Sequence, residues 1–131
     1  MPLNILIVDD NQNMVSMLSM YFTQKGSKVT GVYNVPQALE AFAKDRFDAV
    51  LVDVCLKPFS GMVFLKSLKS RGNATPMIMM SGYAKPEQIE ECLSLGAYDF
   101  LLKPFRLELL DEILQTIEDR HQRFAKMGVI Q

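Results

Sequence analysis

Five short apolar runs punctuate the chain, at residues 5–8, 29–33, 49–52, 77–80 and 100–102. None of them alternates apolar with polar positions. Continuous runs of this length predict strands buried on both faces, the pattern of a parallel sheet. The segments between them have helical spacing. The first carries Met14, Met17, Leu18, Tyr21 and Phe22 at i, i+3, i+4, i+7 and i+8, and stops at Gly26. That stripe puts Met14 and Met17 toward the core and leaves Val15 and Met20 outside it. The second opens on Asn34 as a cap with Pro36 in its first turn, and buries Ala38, Leu39 and Phe42. The third runs over about 61–71 with Val63, Phe64 and Leu68 inward. The fourth begins near Pro86, with Glu87 in its first turn, and stops at Gly96. The fifth follows Pro104 and carries Leu107, Leu110, Ile113, Leu114 and Ile117. Strict βαβαβαβαβα order with short links predicts a doubly wound α/β sheet. Periodicity fades from His121 onward. Residues 1–120 are therefore expected to be the domain, and 121–131 a frayed tail or the start of a linker.

Composition narrows the class without changing this picture. At 131 residues the chain is one domain, large enough to bury a core unaided. Apolar residues at 49% and charged residues at 22% exclude disordered and collagen-like classes. The 14 basic residues are matched by 15 acidic ones, so no basic excess marks a nucleic-acid surface. Cys55 and Cys92 do not make a disulfide scaffold, which implies a reducing compartment. Cys92 reads as half-buried packing and His121 as a solvated tail residue. No apolar run approaches the ~20 residues of a membrane span. The first residues lack a basic segment followed by an apolar one, so no signal peptide is expected and the cytoplasm is the expected location.

Ligands of open α/β sheets sit at the carboxyl ends of the strands. The first strand ends in Asp9-Asp10, the third in Asp53, the fourth in Ser81-Gly82 and the fifth in Lys103-Pro104. The second ends in Tyr33-Asn34, which adds no such chemistry. Three carboxylates within a few Å repel one another, and one stays protonated unless a cation compensates. Mg²⁺ suits them, because it takes one or two carboxylates plus water and phosphate in octahedral geometry. Lys103 supplies a positive charge, Ser81 a hydroxyl donor and Gly82 an approachable backbone N–H for a phosphoryl group. An aspartate can itself act as nucleophile and form an acyl phosphate. Singly, these residues have plainer readings. Asp-Asp is a common turn and helix cap, Ser-Gly a common turn, and Lys-Pro a solvated loop. Their coincidence on one rim favours phosphoryl chemistry.

The motifs Ile5-Leu6-Ile7-Val8-Asp9-Asp10, Ala49-Val50-Leu51-Val52-Asp53 followed by Gly61, Met79-Met80-Ser81-Gly82-Tyr83, and Asp99-Phe100-Leu101-Leu102-Lys103-Pro104-Phe105 together resemble the receiver domain of bacterial two-component response regulators. The resemblance covers about residues 3–120. It implies a flavodoxin-like (βα)5 three-layer sandwich with strand order 2-1-3-4-5. It implies that Asp53 accepts a phosphoryl group from a phosphohistidine of a sensor histidine kinase or histidine phosphotransfer protein. Asp10 and Asp53 would bind Mg²⁺ directly, Asp9 through water, and the Cys55 backbone carbonyl would complete the set. Lys103, Ser81 and Gly82 would contact the phosphate. Ser81 and Phe100 would be the switch pair, read out on the face made by the fourth helix, fifth strand and fifth helix. The charge-assisted bond from Ser81 would be worth roughly 1.5–3 kcal/mol. Val15, Met20 and Pro104 would help dock the phosphodonor. The same resemblance implies a signalling domain rather than an enzyme, with an output domain or effector as further partner and possible pairing of two copies through the readout face.

The chain departs from the family pattern in places. Lys57 stands four residues after the acceptor, where the family has Pro, and Pro58 follows it. Ser81 replaces the commoner Thr. Phe100 replaces the frequent Tyr and brings no phenolic hydrogen bond. Cys55 and Tyr83 border the path of attacking water. A haloacid-dehalogenase-like phosphatase would need Asp-x-Asp after the first strand, where this chain has Asp9-Asp10-Asn11. A flavin carrier would need a Ser/Thr/Gly-rich loop there, and two acids would repel its phosphate. A degenerate, binding-only receiver is disfavoured by the intact acids, Ser81 and Lys103.

Overall fold

The computed structural model describes residues 2–128. Five parallel strands, β1 (Asn4–Val8), β2 (Lys28–Val32), β3 (Ala49–Asp53), β4 (Met77–Ser81) and β5 (Asp99–Leu102), form one sheet in the order β2-β1-β3-β4-β5. The helices are α1 (Gln12–Gln24), α2 (Val35–Lys44), α3 (Gly61–Ser70), α4 (Pro86–Ser94) and α5 (Leu107–Lys126). Side chains alternate across a strand. Ile5 and Ile7 accordingly join Leu18, Phe22 and Leu114 in a core under α1 and α5. Leu6 and Val8 join Val35, Phe64 and Cys92 in a second core under α2, α3 and α4. The result is the three-layer doubly wound sandwich.

Register decides where the rim chemistry meets. Val8 pairs with Val52, Asp53 with Met80, and Ser81 with Leu102. The residues just past these pairs therefore emerge on one edge. Strand order reverses between β1 and β3, so that edge is also the topological switch point, where doubly wound sheets bind ligands.

The structure corrects the reading of α1 at Val15 and Met17. Its buried residues are Val15, Leu18 and Phe22. Met17 is 47% exposed, whereas Met20, expected outside the stripe, is 64% exposed. The cause is Gly31 in β2: a Cβ there would lie 2.4 Å from Val15 Cγ1. The bare glycine is the seat into which Val15 packs. In α3 the inward residues are Gly61, Phe64, Leu65 and Leu68, whereas Val63 is exposed. Cys92 is fully buried rather than half-buried. Helix α5 continues through His121 to Lys126, so residues 121–126 are helical and not frayed, although their side chains are exposed. Residues 129–131 of the expected tail lie outside the described residues.

Candidate functional site

The chain leaves β1 directly into Asp9 and Asp10, and Asn11 then caps α1 by accepting from the Met14 N–H at 3.1 Å. Asp9 is fully buried, Asp53 is 6% exposed and Asp10 is exposed. Each offers a carboxylate oxygen, and these oxygens lie within 4.8 Å of one another. Lys103 reaches in from β5. Its Nζ donates to Asp9 Oδ2 at 2.6 Å and to Asp53 Oδ2 at 2.7 Å. Burial alone would lower the pKa of this ammonium, but hydrogen bonds and attraction from Asp53 and Asp9 outweigh it and hold the pKa above the ordinary lysine value. The remaining oxygens are also engaged: the Asn11 N–H donates to Asp9 Oδ1 at 2.9 Å and the Cys55 N–H to Asp53 Oδ1 at 2.8 Å. One ammonium offsets only one of three carboxylates. The two negative charges left over, the all-oxygen donors and the nearby Cys55 carbonyl fit a hard divalent cation such as Mg²⁺ and not a thiophilic metal.

Asp53 is held from beneath by the β3–α3 loop. The Gly61 N–H donates to the Val54 carbonyl at 2.9 Å, and Ser60 Oγ donates to the same carbonyl at 3.0 Å while capping α3. A Cβ on Gly61 would lie 2.2 Å from the Asp53 carbonyl oxygen. Gly61 thus belongs to the site as the residue that lets the loop close under the candidate acceptor. Its signal in the sequence was spacing alone. The Lys57–Pro58 and Lys103–Pro104 peptide bonds, both on this rim, are cis.

Ser81 is buried at the end of β4, but its hydroxyl turns into its own loop. It donates to the Tyr83 carbonyl at 2.7 Å and accepts from the Tyr83 N–H at 3.2 Å. Cys55 Sγ stands 3.9 Å from the same hydroxyl. Gly82 and Tyr83 are exposed, and Phe100 is half-buried. Ser81, Tyr83, Cys92 and Phe100 border a cavity of about 80 Å³ beside α4. Rim and switch candidates therefore meet around one small space. On the other side of Lys103, Met14, Met17, Pro104, Phe105 and Leu107 line an apolar groove of about 340 Å³. Pro104 belongs to that groove. Val15 cannot contribute to it, because it is buried against Gly31, and Met17 takes the place expected for it.

The sheet order and the acidic switch point define a flavodoxin-like α/β fold with an acidic pocket. The chain belongs to the response regulator receiver domain family, whose model matches residues 5–115. It is 40% identical over 111 residues to the regulatory protein AtoC of Escherichia coli strain K12, covering 85% of this chain and 24% of AtoC. It is 32% identical over 113 residues to the transcriptional regulatory protein ZraR of Salmonella typhimurium, covering 86% of this chain and 26% of that protein. The chain thus spans about a quarter of the length of these curated relatives. Among solved structures, the receiver domain of the Francisella response regulator 1452 superposes with a TM-score of 0.85 at 24% identity, covering 91% of this chain and 98% of that one. The chemotaxis response regulator CheY4 of Vibrio cholerae gives 0.80 at 29% identity, covering 89% and 99%. No helix among the described residues is long and apolar enough to cross a membrane.

Proposed function

We propose that this domain is the phospho-acceptor switch of a two-component phosphorelay, with Asp53 as the acceptor. The observation that carries the reading is Lys103 bridging Asp9 and Asp53 while Asp10 completes a three-carboxylate cluster. An Asp53 carboxylate oxygen attacks the phosphorus of a phosphohistidine, the O–P bond forms, and the P–N bond breaks with the electron pair leaving on the imidazole. Lys103 passes from Asp53 Oδ2 to a phosphoryl oxygen. Ser81 and the Gly82 N–H supply further donors. Asp10, Asp53 and the Cys55 carbonyl would hold Mg²⁺, with Asp9 acting through water. That ion, when bound, neutralises charge that develops on the transferred group.

The phosphodonor, a sensor histidine kinase or histidine phosphotransfer protein, docks over the Met14/Met17/Pro104 groove, with Met20 at its margin. Exposed Leu93, Leu102 and Leu109 on α4, β5 and α5 support that face as the readout surface, toward an output domain, an effector or a second copy. The domain itself would contact no nucleic acid or membrane, would work in the cytoplasm, and would occupy residues 1–120.

Acetyl phosphate with Mg²⁺ is the direct test. Intact-mass spectrometry should show one added phosphoryl group, stable in acid and labile in base, and Asp53→Asn should take up none. Labelling of a serine or of His121 would overturn the reading.

A further inference from the structure

The pole of the sheet opposite the acid cluster carries a second recess, of about 390 Å³, between the last turns of α5, the residue before β5 and the loop before β4. Tyr98, Ile117 and Phe124 supply apolar walls, and Lys69, Arg120 and His121 bring nitrogen donors to it. Its volume is within the ordinary range for small-molecule sites, roughly 300–1,000 Å³.

Lys69 is the unusual residue. Lys69 and Lys103 are the half-buried lysines of the described chain, and every other lysine is exposed. Lys103 bridges two carboxylates, whereas Lys69 pairs with none. Its Nζ donates to the Asn73 carbonyl at 3.4 Å, a long bond to a neutral acceptor. Its methylenes lie 3.2–3.5 Å from where a Gly96 Cβ would sit, so the glycine makes room for the stem along the wall. Burial pushes the pKa of this ammonium down, with no anion opposing the shift.

Arg120, an exposed residue on the same lining, forms no ion pair among the described residues either. Its guanidinium lies 6.0 Å from the Tyr98 ring centroid and 5.8 Å from that of Phe124. Asp48 is the one acid on the lining, and its Oδ2 accepts from the Asn4 N–H at 2.7 Å. Desolvated charges are normally paired, because leaving them unpaired costs free energy. Lys69, half-buried with no carboxylate partner, and the exposed Arg120 guanidinium at the edge of the same apolar recess leave a place for an anion with a hydrophobic body.

We propose that this recess binds a small planar aromatic carboxylate. Its ring lies along the Tyr98 and Phe124 walls, and its carboxylate accepts from Lys69 and the forked Arg120 guanidinium. A guanidinium matches the two oxygens of a carboxylate, and the apolar walls favour a single negative charge over a dianion. The space admits a one- or two-ring molecule and no dinucleotide. An occupant ties the start of β5 to the last turns of α5. This inference does not depend on the chemistry of Asp53.

Titration of ¹⁵N-labelled protein with 1-naphthoate tests it. Saturable shifts should centre on Gly96, Tyr98 and Arg120, and amides of residues 118–126 should exchange more slowly. The uncharged isostere 1-naphthalenemethanol should bind about tenfold or more weakly, and so should naphthoate to Lys69→Gln or Arg120→Gln, as loss of a charge-assisted hydrogen bond requires. Lys69→Gln should keep its thermal midpoint, since it removes a desolvated charge, and Lys69→Arg should retain binding. Equal affinity for the uncharged isostere would overturn the proposal. So would undiminished binding by both Gln variants, shifts centred on the acid cluster, or no saturable shift by about 10 mM.

Discussion

At Ser81 a single residue would set the size of the proposed switch. Its hydroxyl already donates to the Tyr83 carbonyl, so a phosphoryl oxygen on Asp53 must compete for it. Exchanging a neutral bond of about 0.5–1.5 kcal/mol for a charged one of about 1.5–3 leaves a net gain near 1 kcal/mol, roughly a fivefold population shift. That is smaller than the full value of the new bond. Ser81→Ala should still be phosphorylated at Asp53, but its chemical-shift changes at Phe100 and along α4 should shrink. A full response in Ser81→Ala would show that the coupling runs elsewhere. Gly61 constrains Asp53 more rigidly. The atom an alanine methyl would strike at 2.2 Å is backbone, the Asp53 carbonyl oxygen, and cannot rotate away. Gly61→Ala should cost about 1–3 kcal/mol in denaturant unfolding and slow phosphorylation by acetyl phosphate. An unchanged rate would separate the loop from the acceptor's placement.

At the scale of elements, α1 divides its duties between two faces. Val15 seats on Gly31, and a stiff β-branched side chain yields poorly to an added methyl group. Gly31→Ala should therefore destabilise the domain by about 1–3 kcal/mol, measured as a lowered denaturation midpoint at constant slope. Met17 and Met20 lie on the outer face, where serine should change stability by less than about 0.5 kcal/mol. The pair Met17→Ser and Met20→Ser should slow transfer from a phosphohistidine protein while leaving acetyl phosphate unaffected. Equal slowing with both donors would place the damage in the helix rather than in docking.

For the whole molecule, the proposed cation at the acid cluster would be coupled to folding. Mg²⁺ bound to the folded chain and not to the unfolded one adds about 2.7 kcal/mol at a hundredfold excess over its dissociation constant. Asp10 is exposed, so its side chain contributes charge to the cluster and little packing. Asp10→Ala should raise the thermal midpoint without Mg²⁺, by relieving repulsion between carboxylates, and should abolish most of the midpoint rise on adding Mg²⁺. An Asp10→Ala protein that still gains the wild-type increment would move the cation away from this cluster.

The order of elements and the rim residues were legible in the amino-acid sequence for a physical reason. Strands buried on both faces, as β1, β3 and β4 are and the edge strands β2 and β5 are not, must be continuously apolar, so the first polar residue after each run marks an edge, and the edges of parallel strands coincide. Asp9, Asp10, Asp53, Ser81 and Lys103 are found by that rule. On α1, Leu18 and Phe22 were legible as inward, but the burial of Val15 in place of Met17 was not, since both are apolar and it is the bare backbone at Gly31 that seats Val15. The reach of α5 was not legible either. Its last turns lack core apolar residues, and there Arg120 lies over the rings of Tyr98 and Phe124. Only tertiary structure decided that Lys103 bridges Asp9 and Asp53, that Gly61 closes under Asp53, and that Lys69 is half-buried without a carboxylate. Each of these depends on distances between residues far apart in the chain, which local periodicity does not encode.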